Sequence, residues 1–563
     1  MKRACLALFS IFFSFSAAAR DRSQAFATAQ SKQEKCTVSG TVVRLGTREP
    51  LKSAYIRLAL QGERGGTSLG ATTDASGKFF IRNVEPGRYR MTIARNGYVT
   101  QEYGQRSPND PGAILALSPG QKVQDLLFRM IPAAVISGRI QDEDGEPLPW
   151  VQVTALREAY LEGKRRLVSQ MLVSTNDLGE YRLFNLPPGR YFVQATYRPG
   201  TVALGYAQVK YGEGQSSEGY APMYFPGTGD PAKAATITVK SGEEVRSLDF
   251  ILRQVPVFKV RGRVFNAVTG KSATNASVQL RPRGSRVAWG FFDQLASSVD
   301  KPDGSFEIRN VPPGYYTLMA GLWEEERSYQ ARQQVDIGAA DVEGLLLTFA
   351  EGATISGHLS WDGKPSFSES ELSVYLWPME GGDKYGSGGG AKVPAAGNFT
   401  LTNVLEEKYH VGVWGTTEDC FVQSARYGSS DALGDGFTPR RGSDTTLEVT
   451  VSSRGARIDG VVKNSDELPA AGVWVVLIPD EARRSQEWLY KSATTDQYGR
   501  FVLRGITPGE YKLFSWDEVE RGAWQDADFL QPYEDKGQKV RLELGARELV
   551  ELKLIETKKE QKP

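Results

Sequence analysis

The sequence predicts an all-β protein, a tandem array of five Greek-key-like β-sandwich modules. Three observations carry that expectation. A strand-like start with a central glycine recurs along the chain. An Asp-x-x-Gly turn and a Pro-Gly hairpin follow it at a fixed spacing. Apolar residues alternate with polar ones at period two, and no sustained 3.6-residue stripe is present, so helices should be rare. Length agrees: 563 residues exceed what one core can serve, and a prior of about four domains follows from length alone.

The start reads Val38-Ser39-Gly40-Thr41-Val42, Ile136-Ser137-Gly138-Arg139-Ile140, Val260-Arg261-Gly262-Arg263-Val264, Ile355-Ser356-Gly357-His358-Leu359 and Ile458-Asp459-Gly460-Val461-Val462. Asp74-Ala75-Ser76-Gly77 follows the first copy, with Gly179, Gly304 and Gly499 as counterparts; the carboxylate caps backbone donors while the glycine takes positive φ. Ten positions after each of these glycines comes another: Pro86-Gly87-Arg88-Tyr89, Pro188-Gly189-Arg190-Tyr191, Pro313-Gly314-Tyr315-Tyr316 and Pro508-Gly509-Glu510-Tyr511. Pro-Gly there reads as a type II turn. The fourth copy keeps Gly397-Asn398-Phe399 but carries Glu406-Glu407-Lys408-Tyr409 in place of Pro-Gly, so it is degenerate.

Alternation places Phe79, Ile81, Tyr89, Met91 and Ile93 inward, with Arg88, Arg90 and Thr92 outward. Each copy closes on another alternating stretch, such as Leu126-Phe128-Met130 or Val550-Leu552-Leu554. About seven short strands per ~100 residues argue for two packed antiparallel sheets. The resulting parse is modules at 36–131, 134–255, 256–350, 353–452 and 456–556, with a charged tail at 557–563. Connections as short as Ile131-Pro132-Ala133-Ala134 predict a string of beads with restricted bending.

These residues carry a resemblance. The G-x-V start, the D-x-x-G-x-F turn and the N-V-x-P-G-x-Y hairpin are similar to the carboxypeptidase regulatory-like domain, of the transthyretin-like or collagen-adhesin B-type sandwich class. Long secreted proteins of acidobacteria that string such modules together are also similar, notably over Tyr220–Thr228 and Ile136–Pro149. The resemblance extends over about 36–556 and is strongest in modules 1, 2, 3 and 5. It implies a scaffold near carbohydrate-binding folds, not a chemistry.

The N-terminus reads as a secretory signal at 1–19: Lys2 and Arg3, an apolar run from Leu6 to Phe15, and Ala17-Ala18-Ala19 at the cleavage position, with Ala27-Thr28-Ala29 an acceptable later site. That run is too short for a permanent anchor, and no other window resembles a transmembrane segment. Export to the periplasm, cell surface or extracellular space is the expectation. Lys and Arg total 68 against 67 acidic residues, so no basic field exists for nucleic acid. After processing only Cys36 and Cys420 remain, and whether they pair is a question of geometry.

Two histidines leave little room for metal chemistry. His358 and His410 lack the His-x-x-Glu pattern of a zinc carboxypeptidase and read as outward-facing strand residues. Gly66-Thr67-Ser68-Leu69-Gly70 matches a nucleophile motif but has neither its strand–turn–helix context nor a nearby histidine. Asp142-Glu143-Asp144-Gly145-Glu146 is a tight-turn signal short of a calcium shell, and Gly381–Gly390 reads as a loop. The expectation is no catalysis, no metal and no cofactor.

Module 2 is longest, with Tyr206, Tyr211, Tyr220, Tyr224 and Phe225 among Gly, Ser and Pro; module 1 has a shorter counterpart in Tyr98 and Tyr103. Aromatic faces on loops can stack on sugars or contact a protein, or fold back as lids over their own core. These seven rings are the candidate ligand-binding residues, with a polysaccharide or cell-envelope protein as partner. Trp361, Trp377, Trp414, Trp516 and Trp524 admit the same two readings. Mass spectrometry of protein recovered outside the cytoplasm should show a new N-terminus between Arg20 and Gln30; an intact Met1 there would contradict the signal.

Overall fold

A computed structural model describes residues 34–557 apart from 62–67, 109, 198–217, 285–286, 288–294, 325–326, 364–371, 380–388 and 395. The N-terminal residues 1–33, which include the expected signal sequence, Tyr206, Tyr211 and most of the Gly381–Gly390 stretch lie outside the described residues. The chain is all β, with one four-residue α-helix at Ala527–Leu530 and a few 3₁₀ turns among the described residues.

The first strand of each repeat is central in its sheet. Cys36–Arg44 pairs antiparallel with Lys78–Val84 and parallel with Lys122–Met130. The same three-strand pattern recurs around Ala134–Gln141, Phe258–Asn266, Ala353–Asp362 and Ala456–Lys463. Period two anticipated antiparallel neighbours; the parallel pair arises because each repeat leaves through the sheet in which it entered. The second sheet of module 1 orders Leu69–Thr72, Tyr55–Leu60, Gly87–Ala94 and Gln101–Glu102, and modules 2, 3 and 5 build theirs alike. Each sheet pair encloses its own apolar core, such as Val38, Ile56, Phe79, Tyr89 and Met91, or Ile458, Val475, Phe501 and Tyr511.

The turns explain the motifs, with one correction. Asp74 Oδ1 accepts from the Ser76 and Lys78 amides, and Asn176 and Asp496 repeat this cap beside Gly179 and Gly499, both at positive φ. The Pro-Gly pair, however, is not a type II turn: its glycine opens the next strand. The left-handed residue stands four positions earlier, at Asn83, Asn185, Asn310, Asn403 and Gly505, where the first strand's register shifts. Asparagine tolerates that conformation better than most side chains. The tyrosine two residues after the Pro-Gly glycine donates its hydroxyl to the carbonyl four residues back: Tyr89 to Glu85, Tyr191 to Pro187, Tyr316 to Pro312 and Tyr511 to Thr507.

A buried threonine latch accompanies these turns in modules 1, 2 and 5. Thr495 Oγ1 accepts from Val473 N at 3.0 Å and donates to Ala470 O at 2.7 Å, as Thr73 and Thr175 do at their sites.

The degenerate module 4 departs further. Its strand Phe421–Tyr427 pairs with Leu447–Ser452 in the first sheet, leaving a three-stranded second sheet of Gly390–Lys392, Ser373–Pro378 and Tyr409–Trp414. Without the Pro-Gly connection, the buried Tyr409 hydroxyl has no hydrogen-bond partner among the described residues.

The string-of-beads expectation is corrected as well, because module 1 docks on module 5. Ile114 N donates to Thr495 O, Gln497 brackets Ala116 with two hydrogen bonds of 2.9 and 2.7 Å, and Arg88 meets Asp496 at 3.5 Å. The long hairpin of Gln152–Leu161 and Lys164–Ser174 reaches module 5 too, where Tyr160 packs beside Trp516 and Trp524. The turn Asp496–Gly499 serves its own hairpin and a distant neighbour together. Cys36 and Cys420 are separate buried thiols; Cys36 Sγ lies 3.0 Å from Ser118 O and Cys420 Sγ 3.2 Å from Thr417 Oγ1.

We propose that 36–131, 134–255, 256–350, 353–452 and 456–556 are the folding units. A fragment of 134–255 should unfold cooperatively, and one ending at Asn83 should show no transition in denaturant; a cooperative transition in the latter would refute these boundaries.

Candidate functional site

Of the five described rings among the sequence candidates, four pack against their own module's core and Tyr224 packs at the junction with module 3. After Tyr197 the chain returns as Met223–Tyr224, pairing with Gly189–Thr196, so period two directs alternate residues inward. Tyr220 sits edge-on to Tyr197 at 5.2 Å and accepts from Gln254 Nε2; Phe225 packs against Phe250 at 5.9 Å. Tyr224 is 5% exposed, accepts from Gln194 Nε2, and joins Leu156, Leu167 and Val287 at the junction with module 3. Tyr98 and Tyr103 are half-buried against the core of module 1, Tyr103 edge-on to Phe128. These rings do not converge on an exposed face, because their faces are used in packing. Tyr206 and Tyr211 lie outside the described residues.

Exposed aromatics gather elsewhere, on the outer face of the three-stranded sheet of module 4. Val374 and Leu376 face the core, so Ser373, Tyr375 and Trp377 face outward. The register sets Ser373 opposite Trp414, Tyr375 opposite Gly412 and Trp377 opposite His410. Tyr375, Trp377 and Trp414 are 38%, 41% and 54% exposed, and Met379 extends the line. At ~3.3 Å per residue the row runs about 20 Å along the sheet.

Glycines let these rings lie down. A Cβ at Gly412 would come within 3.0–3.3 Å of three atoms of the Trp377 ring, and one at Gly390 would meet Tyr375 at 2.7 Å. Both rings therefore rest on glycine backbone, covering the sheet with one face and offering the other outward. At the end of the row His410 packs against Trp488 of module 5 at 5.5 Å, which holds the row against its neighbour. A flat apolar surface on rigid strands can bind the apolar face of a sugar ring or a complementary protein side chain without ordering a loop. The signal was legible in outline: alternation marks Tyr375 and Trp377 as outward, but their partnership with Gly390 and Gly412 depends on strand register.

The other chemical candidates are accounted for locally. Asp142 Oδ1 caps the Asp144 and Glu146 amides, and His358 Nδ1 is hydrogen-bonded to Asn398 at 2.8 Å. Leu69 and Gly70 of the nucleophile-like motif lie in the strand Leu69–Thr72. Among the described residues no group of three or more His, Cys, Asp or Glu side chains could hold a metal ion, and no helix is long and apolar enough to cross a membrane.

The family model for the carboxypeptidase regulatory-like domain matches residues 37–124 and 135–219, so the chain carries that domain twice, in modules 1 and 2. Colossin-A of Dictyostelium discoideum is 21% identical over 510 residues; the match covers 81% of this chain and 4% of that protein's length. A streptococcal ancillary pilin is 12% identical and covers 56% of this chain and 99% of its own, with a TM-score of 0.18. The minor pilin GBS52 of Streptococcus agalactiae is 14% identical, covering 39% of this chain and 97% of its own, TM-score 0.21. A Pseudomonas aeruginosa structure described as a candidate carbohydrate-binding protein is 16% identical, covering 16% of this chain and 87% of its own, TM-score 0.13.

Because Tyr224 is a packing residue, Tyr224→Ala should lower the stability of module 2 by about 3 kcal/mol, as large-to-small core changes do. Chemical denaturation of the full chain would measure this; an unchanged midpoint would return Tyr224 to the list of ligand contacts.

Proposed function

We propose that the chain is an exported, non-catalytic binding protein that takes carbohydrate on the outer face of module 4, with Tyr375, Trp377 and Trp414 as the contact rings. One observation carries this reading: three exposed aromatics occupy one face of a rigid sheet, and two of them lie flat over glycines. Such a surface is prepaid in conformational entropy, and it suits repeated sugar rings of a polysaccharide better than a single small ligand. The described loop aromatics of module 2, the candidates the sequence offers, are packed against neighbouring side chains, which favours the module 4 face over them. Regulatory-like domains are scaffolds, which supports binding over catalysis.

The second reading is a protein–protein adhesion or spacing array. Spacing alone is disfavoured by the docking of module 1 on module 5, which shortens the reach of the chain. Adhesion to a cell-envelope protein would use the same aromatic face.

The test is binding of the full chain to a polysaccharide and glycan array, with Trp377→Ala, Trp414→Ala and the double variant. At roughly 0.5–1.5 kcal/mol per ring, the double variant should bind about tenfold or more weakly while its melting temperature changes little. Undiminished glycan affinity in a stable double variant, or no glycan binding by the parent chain, would reject the carbohydrate reading.

A further inference from the structure

A cavity of about 570 Å³ opens where modules 1, 4 and 5 meet, lined by none of the candidate sugar-face rings. Its wall carries Gln61 and Arg88 from module 1, Glu418 from module 4, and Lys491, Thr494 and Arg504 from module 5. Three of these are cations and one is an acid. Arg88 has its counter-charge in Asp496 at 3.5 Å, and Arg504 in Asp419 at 3.3 Å; both contacts are long for ion pairs.

Lys491 differs. It lies on the strand Lys491–Thr494, opposite Leu477, on the side of the sheet that faces the core. The side chain is mostly buried, and burial pushes its ammonium below the ordinary lysine value. Among the described residues it has no ion-pair partner within 4.0 Å. An ammonium withdrawn from water without a counter-charge is costly by several kcal/mol, and proteins tolerate such groups where function uses them.

We propose that this three-module cavity is an oxyanion-binding site, with Lys491 as the central contact and Arg88 and Arg504 as flanking donors. The ligand class is a small oxyanion: the carboxylate of an acidic sugar, or inorganic sulfate or phosphate. An anion there would give Lys491 its missing counter-charge and would tie module 1 to module 5, since contacts from both line the cavity. Binding to the folded arrangement alone would stabilise it by mass action. The site is independent of the aromatic face and does not rest on the carbohydrate reading.

Titration calorimetry of the full chain with galacturonate, galactose, sulfate and phosphate, at constant ionic strength, tests it. Saturable binding of at least one anion and none of galactose is expected; galacturonate over the inorganic ions would identify an acidic sugar as the source, and the reverse a free oxyanion. Lys491→Met removes the buried charge with little change of volume. It should keep or raise the melting temperature while weakening anion binding about tenfold or more, and Arg504→Gln should weaken it in the same direction. Trp377→Ala/Trp414→Ala should bind the anion like the parent, which separates failure here from failure of the sugar face. Absence of saturable anion binding, or equal affinity in Lys491→Met, would overturn the proposal.

Discussion

In every repeat the first strand lies between two others, and at its centre the neighbouring backbone leaves no space for a side chain. A Cβ on Gly40, Gly138, Gly262 or Gly460 would fall 2.3–2.4 Å from a carbonyl oxygen of the closing strand, at Leu126, Leu248, Leu345 and Val550 respectively. The ring of Phe79, Phe306 or Phe501 covers the same glycine in modules 1, 3 and 5. This contact joins the turn motif, which supplies the phenylalanine, to the end of the repeat, which supplies the carbonyl. The rest of the sandwich follows from it. With the entering strand held centrally, the intervening strands must form the second sheet, and the tyrosine corner and left-handed asparagine join the two layers.

Module 4 shows what happens when part of that scheme is lost. Its central glycine survives, but the Pro-Gly connection does not, and Tyr409 keeps its buried place without its hydrogen bond. An unsatisfied buried hydroxyl costs about 1–3 kcal/mol. The strand that would have extended the second sheet crosses to the first, so the remaining sheet is narrow. Its outer face carries Tyr375, Trp377 and Trp414.

The junctions between modules use polar groups as much as apolar ones. Gln497 satisfies both backbone groups of Ala116, and Arg332 of module 3 meets Glu407 of module 4 at 3.1 Å. Such hydrogen bonds constrain orientation, because each requires a direction and a distance that apolar contact does not. At the edge of module 5, Lys491 lines a cleft together with Arg88, Arg504 and Glu418.

The sequence by itself determined the repeat, the sandwich class and the inward residues, because turns and alternation are local and depend on neighbours within ten positions. Gly77 and Gly179 declare their positive φ through the Asp or Asn before them, and Val151, Val153 and Ala155 declare their face by period two. Tertiary structure decided the parallel closing strand, the left-handed role of Asn83 and its counterparts, and the docking of module 1 on module 5. It also decided which aromatics are spent on cores and which lie outward. Tyr224 and Trp377 look alike in sequence, as aromatic residues in polar surroundings. Tyr224, on a strand returning from across a long loop, is covered by Leu156, Leu167 and Val287, whereas Trp377 faces outward and lies over Gly412. Alternation already marks Trp377 as outward; the burial of Tyr224 depends on contacts between distant segments, which no local pattern encodes.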